Sequence, residues 1–169
     1  GIRELNIVNE EQEKAQAREA IESIKLQAKN ENIKIYGPQD PIYKRVHRIY
    51  SRVLAVSHYN EETDLELIVI GKQEFNALAV GGGNVIVFEG LAEVLNDDEL
   101  AYVIGHEIAH NAAAHLAEFQ SYTSAKRILS DPSDGFDIAF TNINEQEADR
   151  VGILYAALAG FNPAASATV

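Results

Sequence analysis

Three residues past the middle of the chain could do chemistry together. His106, Glu107 and His110 stand in the pattern H-E-x-x-H, within Gly105–His115, GHEIAHNAAAH. The stretch Asp97–Leu116 has no proline and is rich in Ala, Leu and Glu, which predicts a helix. Residues four apart on a helix lie about 40° apart around the axis and one turn along it. His106 and His110 therefore share a face and can hold one metal ion between their imidazoles. Glu107 is turned about 100° from His106. It can reach a water on that metal but is poorly placed to be a ligand. Two imidazole ligands and a carboxylate general base are the parts of a zinc peptidase. A chain of this His and Glu content would carry the pattern by chance on the order of one time in a hundred, so a third ligand is the decisive question.

Glu145-Gln146-Glu147-Ala148-Asp149 supplies candidates. Thr141–Ala159 reads as a helix closed by Gly160 at C′ and by Pro163 soon after. Glu145, Asp149, Gly152 and Ala156 fall in one narrow stripe on it, two carboxylates at one end and small residues below. Ala109, Ala113 and Ala114 lie near the histidine face of the first helix, so the two helices could approach closely. Glu145 could then complete the metal site. Asp149 could accept the Nδ1–H of His106 and fix its tautomer. Glu147 points roughly the other way. An acidic solvated face is the bland alternative, and the small-residue stripe argues against it.

Other elements must position these groups. Asn9–Asn30 predicts an amphipathic helix burying Ala17, Ile21, Ile24 and Ala28. Glu31–Gln39, with Gly37-Pro38, predicts a loop. Asp40-Pro41 predicts a cap and first turn of a helix to about Tyr59, burying Ile42, Val46, Ile49, Val53 and Val56. Its Lys44, Arg45, Arg48 and Arg52 read as a solvated basic face. His47 and His58 lack metal-spaced partners and read as ordinary surface or core residues. Leu65–Ile70, Asn76–Val80 and Val85–Phe88 read as strands, the last two a hairpin around Gly81–Asn84. Gly90–Leu95 reads as a short helix. Asn96-Asp97-Asp98 caps the histidine helix and gives it an acidic first turn. Helix continues past His115 to about Leu129, and residues 131–135 form a loop.

Composition bounds the rest. The 169 residues suit one domain, expected to span the whole chain, with a 46% hydrophobic content normal for a globular protein. No apolar run reaches the ~18 residues of a membrane span. A net charge of −12 argues against nucleic-acid partners and against adhesion to anionic lipid. With no cysteine there are no disulfides, thiolate ligands or cysteine nucleophiles. With no methionine, the chain is expected to begin as a mature or excised piece.

Taken together, H-E-x-x-H followed by E-x-E-A-D-x-x-G and an A-G-F-x-P ending resembles the M48 zinc metallopeptidases. Asn76-Ala77-Leu78-Ala79 before a glycine turn resembles their N-A-[FL]-A strand, and Phe88-Glu89-Gly90-Leu91 their [FY]-x-G-L. The resemblance covers about Asn9 to Pro163 and favours the soluble envelope branch, of the LoiP, BepA and Oma1 type. It implies a gluzincin with one zinc per chain, held by His106, His110 and Glu145. Glu107 would be the catalytic carboxylate and Asp149 the residue behind a ligand. His115, about 180° from His106, is not expected to be a ligand. Part of Asn76, Ala77, Leu78 and Ala79 would bind substrate backbone by strand addition.

The implied fold is α+β: a mainly helical zincin-like domain with a small three-stranded sheet and a central HExxH helix. Relatives continue past the position of Val169, so the catalytic domain is expected to be cut short at its C-terminus. The implied function is a metalloendopeptidase acting on unfolded or extended proteins in envelope quality control, in the bacterial periplasm. A lipid anchor upstream is compatible with that branch. The alternative is a zinc-dependent envelope assembly factor that binds clients and cleaves rarely or never.

Overall fold

The computed structural model describes residues 2–59, 64–112 and 142–169, with side chains over 11–59, 64–109 and 150–169. In order these form α1 (Ile2–Asn30), β1 (Ile35–Tyr36), α2 (Pro41–Ala55), β2 (Leu67–Ile70), β3 (Ala77–Gly81), β4 (Asn84–Phe88), α3 (Glu89–Val94), α4 (Asp97–Ala112) and α5 (Asn142–Leu158). A 3-10 turn, Pro163–Ala167, follows. The fold is α+β and mainly helical, as expected.

The sheet has four strands in the order β1-β2-β4-β3, one more than expected. β1 lies inside the segment read as a loop and pairs antiparallel with β2, Ile35 opposite Ile70. Two residues are too few to show a period-2 pattern, so sequence could not reveal it. β2 and β4 are parallel and β4 and β3 antiparallel. β2 and β4 are buried along their whole length, because the sheet is covered on both faces. Ile68, Ile70, Ile86 and Phe88 face α1, meeting Ile21, Ile24 and Ala28. Leu67, Val69, Val85 and Val87 face Val46, Ile49 and Val53 of α2 and Leu100, Ile104 and Ile108 of α4. Doubly covered strands read as continuous apolar runs rather than alternating ones, which is how LIVI and, after Asn84, VIVF read.

The expected core positions of α1, Ala17, Ile21, Ile24 and Ala28, are all buried. On α2 the buried set is Val46, Ile49, Tyr50 and Val53, while Ile42 and Val56 pack partly exposed at its ends. Asp40 occupies the N-cap position, but its carboxylate accepts from the amide of Gly37 at 2.8 Å instead of capping the helix. The β3–β4 hairpin turns on Gly82-Gly83, both at positive φ, the requirement of a two-residue turn whose twist matches its strands. Tyr50 donates to the carbonyl of Gly83 at 2.7 Å and so ties this turn to α2. Burial raises the Tyr50 hydroxyl well above the ordinary tyrosine range. The predicted helix to Leu129, the loop at 131–135 and His115 lie outside the described residues.

Candidate metal and catalytic centre

The histidine helix is fixed first at its start. Asn96 Oδ1 accepts from the amide of Glu99 at 2.9 Å, and Glu99 Oε1 accepts from that of Asn96 at 3.0 Å. This reciprocal pair satisfies two helix-terminal donors. The basic residues of α2 then hold the same end. Arg45 donates to Asp97 Oδ1 at 2.8 Å and to the carbonyls of Ala92 and Leu95, and Arg48 donates to Asp97 Oδ2 at 2.7 Å. Arg52 donates to the carbonyl of Ala159 just past α5 and lies 4.3 Å over the ring of Phe161. Three of the four basic residues, Arg45, Arg48 and Arg52, therefore clasp α2 to α4 and α5 from a face that is still largely solvated, as expected; Lys44 is exposed. The acidic first turn of α4 was the available signal. The hydrogen bond from Arg48 is the largest influence on Asp97; partial burial opposes it and Arg45 adds to it, leaving the carboxyl below its ordinary range.

Further along α4, the helices meet. A Cβ on Gly105 would lie 2.7 Å from the carbonyl oxygen of Gly152, and one on Gly152 would lie 2.6 Å from the amide nitrogen of His106. Neither position admits a side chain. The close approach expected from small residues is real, and Gly152 and Ala156 are buried in it. On α4 its centre is Gly105, one turn before the first of the expected Ala109, Ala113 and Ala114. Ala109 is buried, and the other two lie outside the described residues.

His106 is half-buried with its Nδ1 shielded from solvent, and its ring lies 6.2 Å from that of Tyr102, one turn earlier. His110 follows one turn on along unbroken helix. Glu145 and Asp149 stand on α5, seven and three residues before Gly152. The side chains of His110, Glu145, Glu147 and Asp149 lie outside the described residues. His58 shares a 2.7 Å hydrogen bond with the Tyr155 hydroxyl and so ties the segment just after α2 to α5.

Glu107 is 5% exposed, and its Oε2 accepts from the amide of Ala79 at 3.0 Å. The bond joins residues 28 apart in sequence, so no local pattern announces it. Ala79 is on β3, at the sheet edge. Asn76 is buried just before β3; its Oδ1 accepts from the amide of Ala77 at 2.9 Å. Ala77 and Leu78 are buried and Ala79 is partly exposed. Glu107, expected to be the general base, and the strand expected to bind substrate are thus in direct contact.

The description Peptidase family M48 matches residues 43–131, a span holding β2 to β4 and the whole H-E-x-x-H turn. The chain belongs to peptidase family M48. It is 31% identical to the mitochondrial metalloendopeptidase OMA1 of Schizosaccharomyces pombe over 184 aligned positions, covering 99% of this chain and 53% of that protein. It is 33% identical to the beta-barrel assembly-enhancing protease of Escherichia coli over 141 positions, covering 67% of this chain and 29% of that one. OMA1 of Saccharomyces cerevisiae is 28% identical over 161 positions, 80% of this chain and 47% of its own length. The chain therefore spans about half or less of these M48 relatives. Among the described residues, no helix is long and apolar enough to cross a membrane.

Proposed function

We propose that this M48 chain is a single catalytic domain of a zinc metalloendopeptidase that cuts extended or unfolded protein segments. One zinc would be held by His106, His110 and Glu145, with Asp149 accepting from His106 Nδ1. The observation carrying this reading is the Gly105–Gly152 contact, which brings the helix bearing Glu145 and Asp149 against the backbone of His106. Two imidazoles and a carboxylate, with no thiolate in the chain, are a donor set suited to catalytic zinc. A shielded His106 Nδ1 suits a protein acceptor rather than water.

When bound, zinc supplies a Lewis acid and lowers the pKa of a water it coordinates. The chain's own groups do the rest. Glu107 takes the proton of the attacking water and delivers it to the leaving amine. β3, in contact with Glu107, aligns the backbone of an extended segment through its edge. Backbone recognition reads main chain more than side chain, which suits unfolded proteins. Envelope quality control, in the periplasm and with a lipid anchor upstream, is the setting we favour.

The test is zinc content of the purified protein together with cleavage of casein with and without a chelator. Stoichiometric zinc and chelator-sensitive cleavage are expected. Cleavage that survives removal of the metal would sink the reading. The relative named a beta-barrel assembly-enhancing protease favours a second one, an assembly factor that binds clients and seldom cuts. Zinc retained with casein bound but uncut would select it.

A further inference from the structure

The bond between Glu107 and Ala79 does more than connect two elements. The amide of Phe88 donates to the carbonyl of Asn76 at 3.1 Å, so Asn76 and Phe88 form a bonded pair of the β3–β4 ladder. Bonded and non-bonded pairs alternate along an antiparallel ladder. Leu78 opposite Ile86 is then the next bonded pair, while Ala77 opposite Val87 and Ala79 opposite Val85 are not. Ala77 and Ala79 therefore turn their N–H and C=O groups away from β4, toward the edge. These are the groups an added strand would bond. Both outward amides are already taken from within: Ala77 by Asn76 Oδ1 and Ala79 by Glu107 Oε2.

We propose that Glu107 occupies the docking amide of the edge strand until substrate arrives, so that strand addition and release of the general base are a single exchange. An extended segment brings a carbonyl to the amide of Ala79; the carboxylate of Glu107 gives up that donor and turns to the water. No covalent bond changes in this step: one hydrogen bond replaces another. The consequence is a base engaged elsewhere unless backbone is docked beside it, which restrains idle chemistry on folded proteins that cannot offer a strand. The inference rests on the proposed docking of substrate along β3.

The probe is a ten-residue peptide cut by the parent protein, resynthesised with its scissile CO–NH replaced by CH2–CH2 so that it is neutral and inert. Its dissociation constant is measured by fluorescence anisotropy on the zinc-loaded parent and on zinc-loaded Glu107→Ala. Freeing the amide should tighten binding by about five- to tenfold, the net worth of one amide–carbonyl hydrogen bond. Amide hydrogen exchange at Ala79 gives an independent reading. It should accelerate in Glu107→Ala and slow again when the probe is added. Equal affinity for parent and variant, with the probe still protecting Ala79, would overturn the exchange while leaving edge docking intact. A probe that binds without protecting Ala79 in Glu107→Ala would overturn edge docking itself.

Discussion

At Glu107, the proposed general base, two demands meet, since a proton acceptor must be close to the reacting water and yet kept in one place. Burial supplies the second throughout, and the Ala79 amide holds the carboxylate only in the substrate-free chain. Glu107→Gln should keep zinc, because the amide is nearly isosteric and Glu107 is not among the proposed ligands, and should lose activity, because it cannot take a proton. Zinc content and casein turnover measured on the same preparation check both halves; parental turnover would refute the role. Asp97 is a residue of a different kind, concerned with stability. Its carboxyl is held below the ordinary range chiefly by Arg48, so the folded chain keeps its charge where the unfolded chain begins to bind protons. The stabilisation is full above the unfolded pKa of about 3.9 and is lost as pH falls through the lower folded value. Asp97 is partly exposed and solvent-screened, so the effect is small. The melting temperature of Asp97→Asn should lie below the parental one at neutral pH and converge with it under acid conditions. A gap that persists unchanged into acid would count against the ion pairs as its source.

Elements were legible in proportion to how much of their environment is local. α1 could be read position by position, because a helix with one buried stripe shows its period in the sequence; Ala17, Ile21, Ile24 and Ala28 are all inside. β1 could not, because its two residues exist only by pairing with β2. The clasp of Arg45, Arg48 and Arg52 was missed for the same reason, since each partner is remote in sequence. Arg45→Ala removes donors from Asp97 and from two backbone carbonyls at the α3–α4 junction, and should cost about 1–3 kcal/mol. Arg48→Ala, exposed and with only Asp97 as described partner, should cost less than about 1 kcal/mol. Chemical denaturation of the two variants would show whether that order holds. The helix crossing is stricter still. Gly152→Ala would drive a methyl into the backbone at Gly105 and His106. Overpacking of this kind costs about 1–3 kcal/mol, and here it also separates the two helices of the proposed metal site. Lower stability together with lost zinc is expected. Parental values of both would mean that the helices are not in such close contact.

For the molecule as a whole, the site joins parts that neither sequence proximity nor one element can supply. The sheet edge brings Ala79 to Glu107, and the glycine crossing brings α5 to α4. The motif fixed the spacing of His106 and His110, but only the tertiary crossing tells which side of α5 meets them. That side decides between Glu145 and Glu147, two carboxylates in one short motif that composition cannot separate. Gly152 marks the side of α5 in contact with α4. Seven residues back, nearly two full turns, Glu145 returns to within about 20° of Gly152 around the axis, whereas Glu147 lies about 200° from Glu145. Both cannot serve one ion on a regular helix. Glu145→Ala should therefore lose most of the bound zinc by removing one of the three proposed protein ligands. Asp149→Ala should weaken binding by about 10- to 100-fold, as loss of a partner behind a ligand does. Glu147→Ala should retain near-stoichiometric metal. Zinc content after dialysis against a mild chelator distinguishes the three. Retention in Glu145→Ala with loss in Glu147→Ala would reverse the assignment and require α5 to present a different face to the histidines than its glycine contact implies.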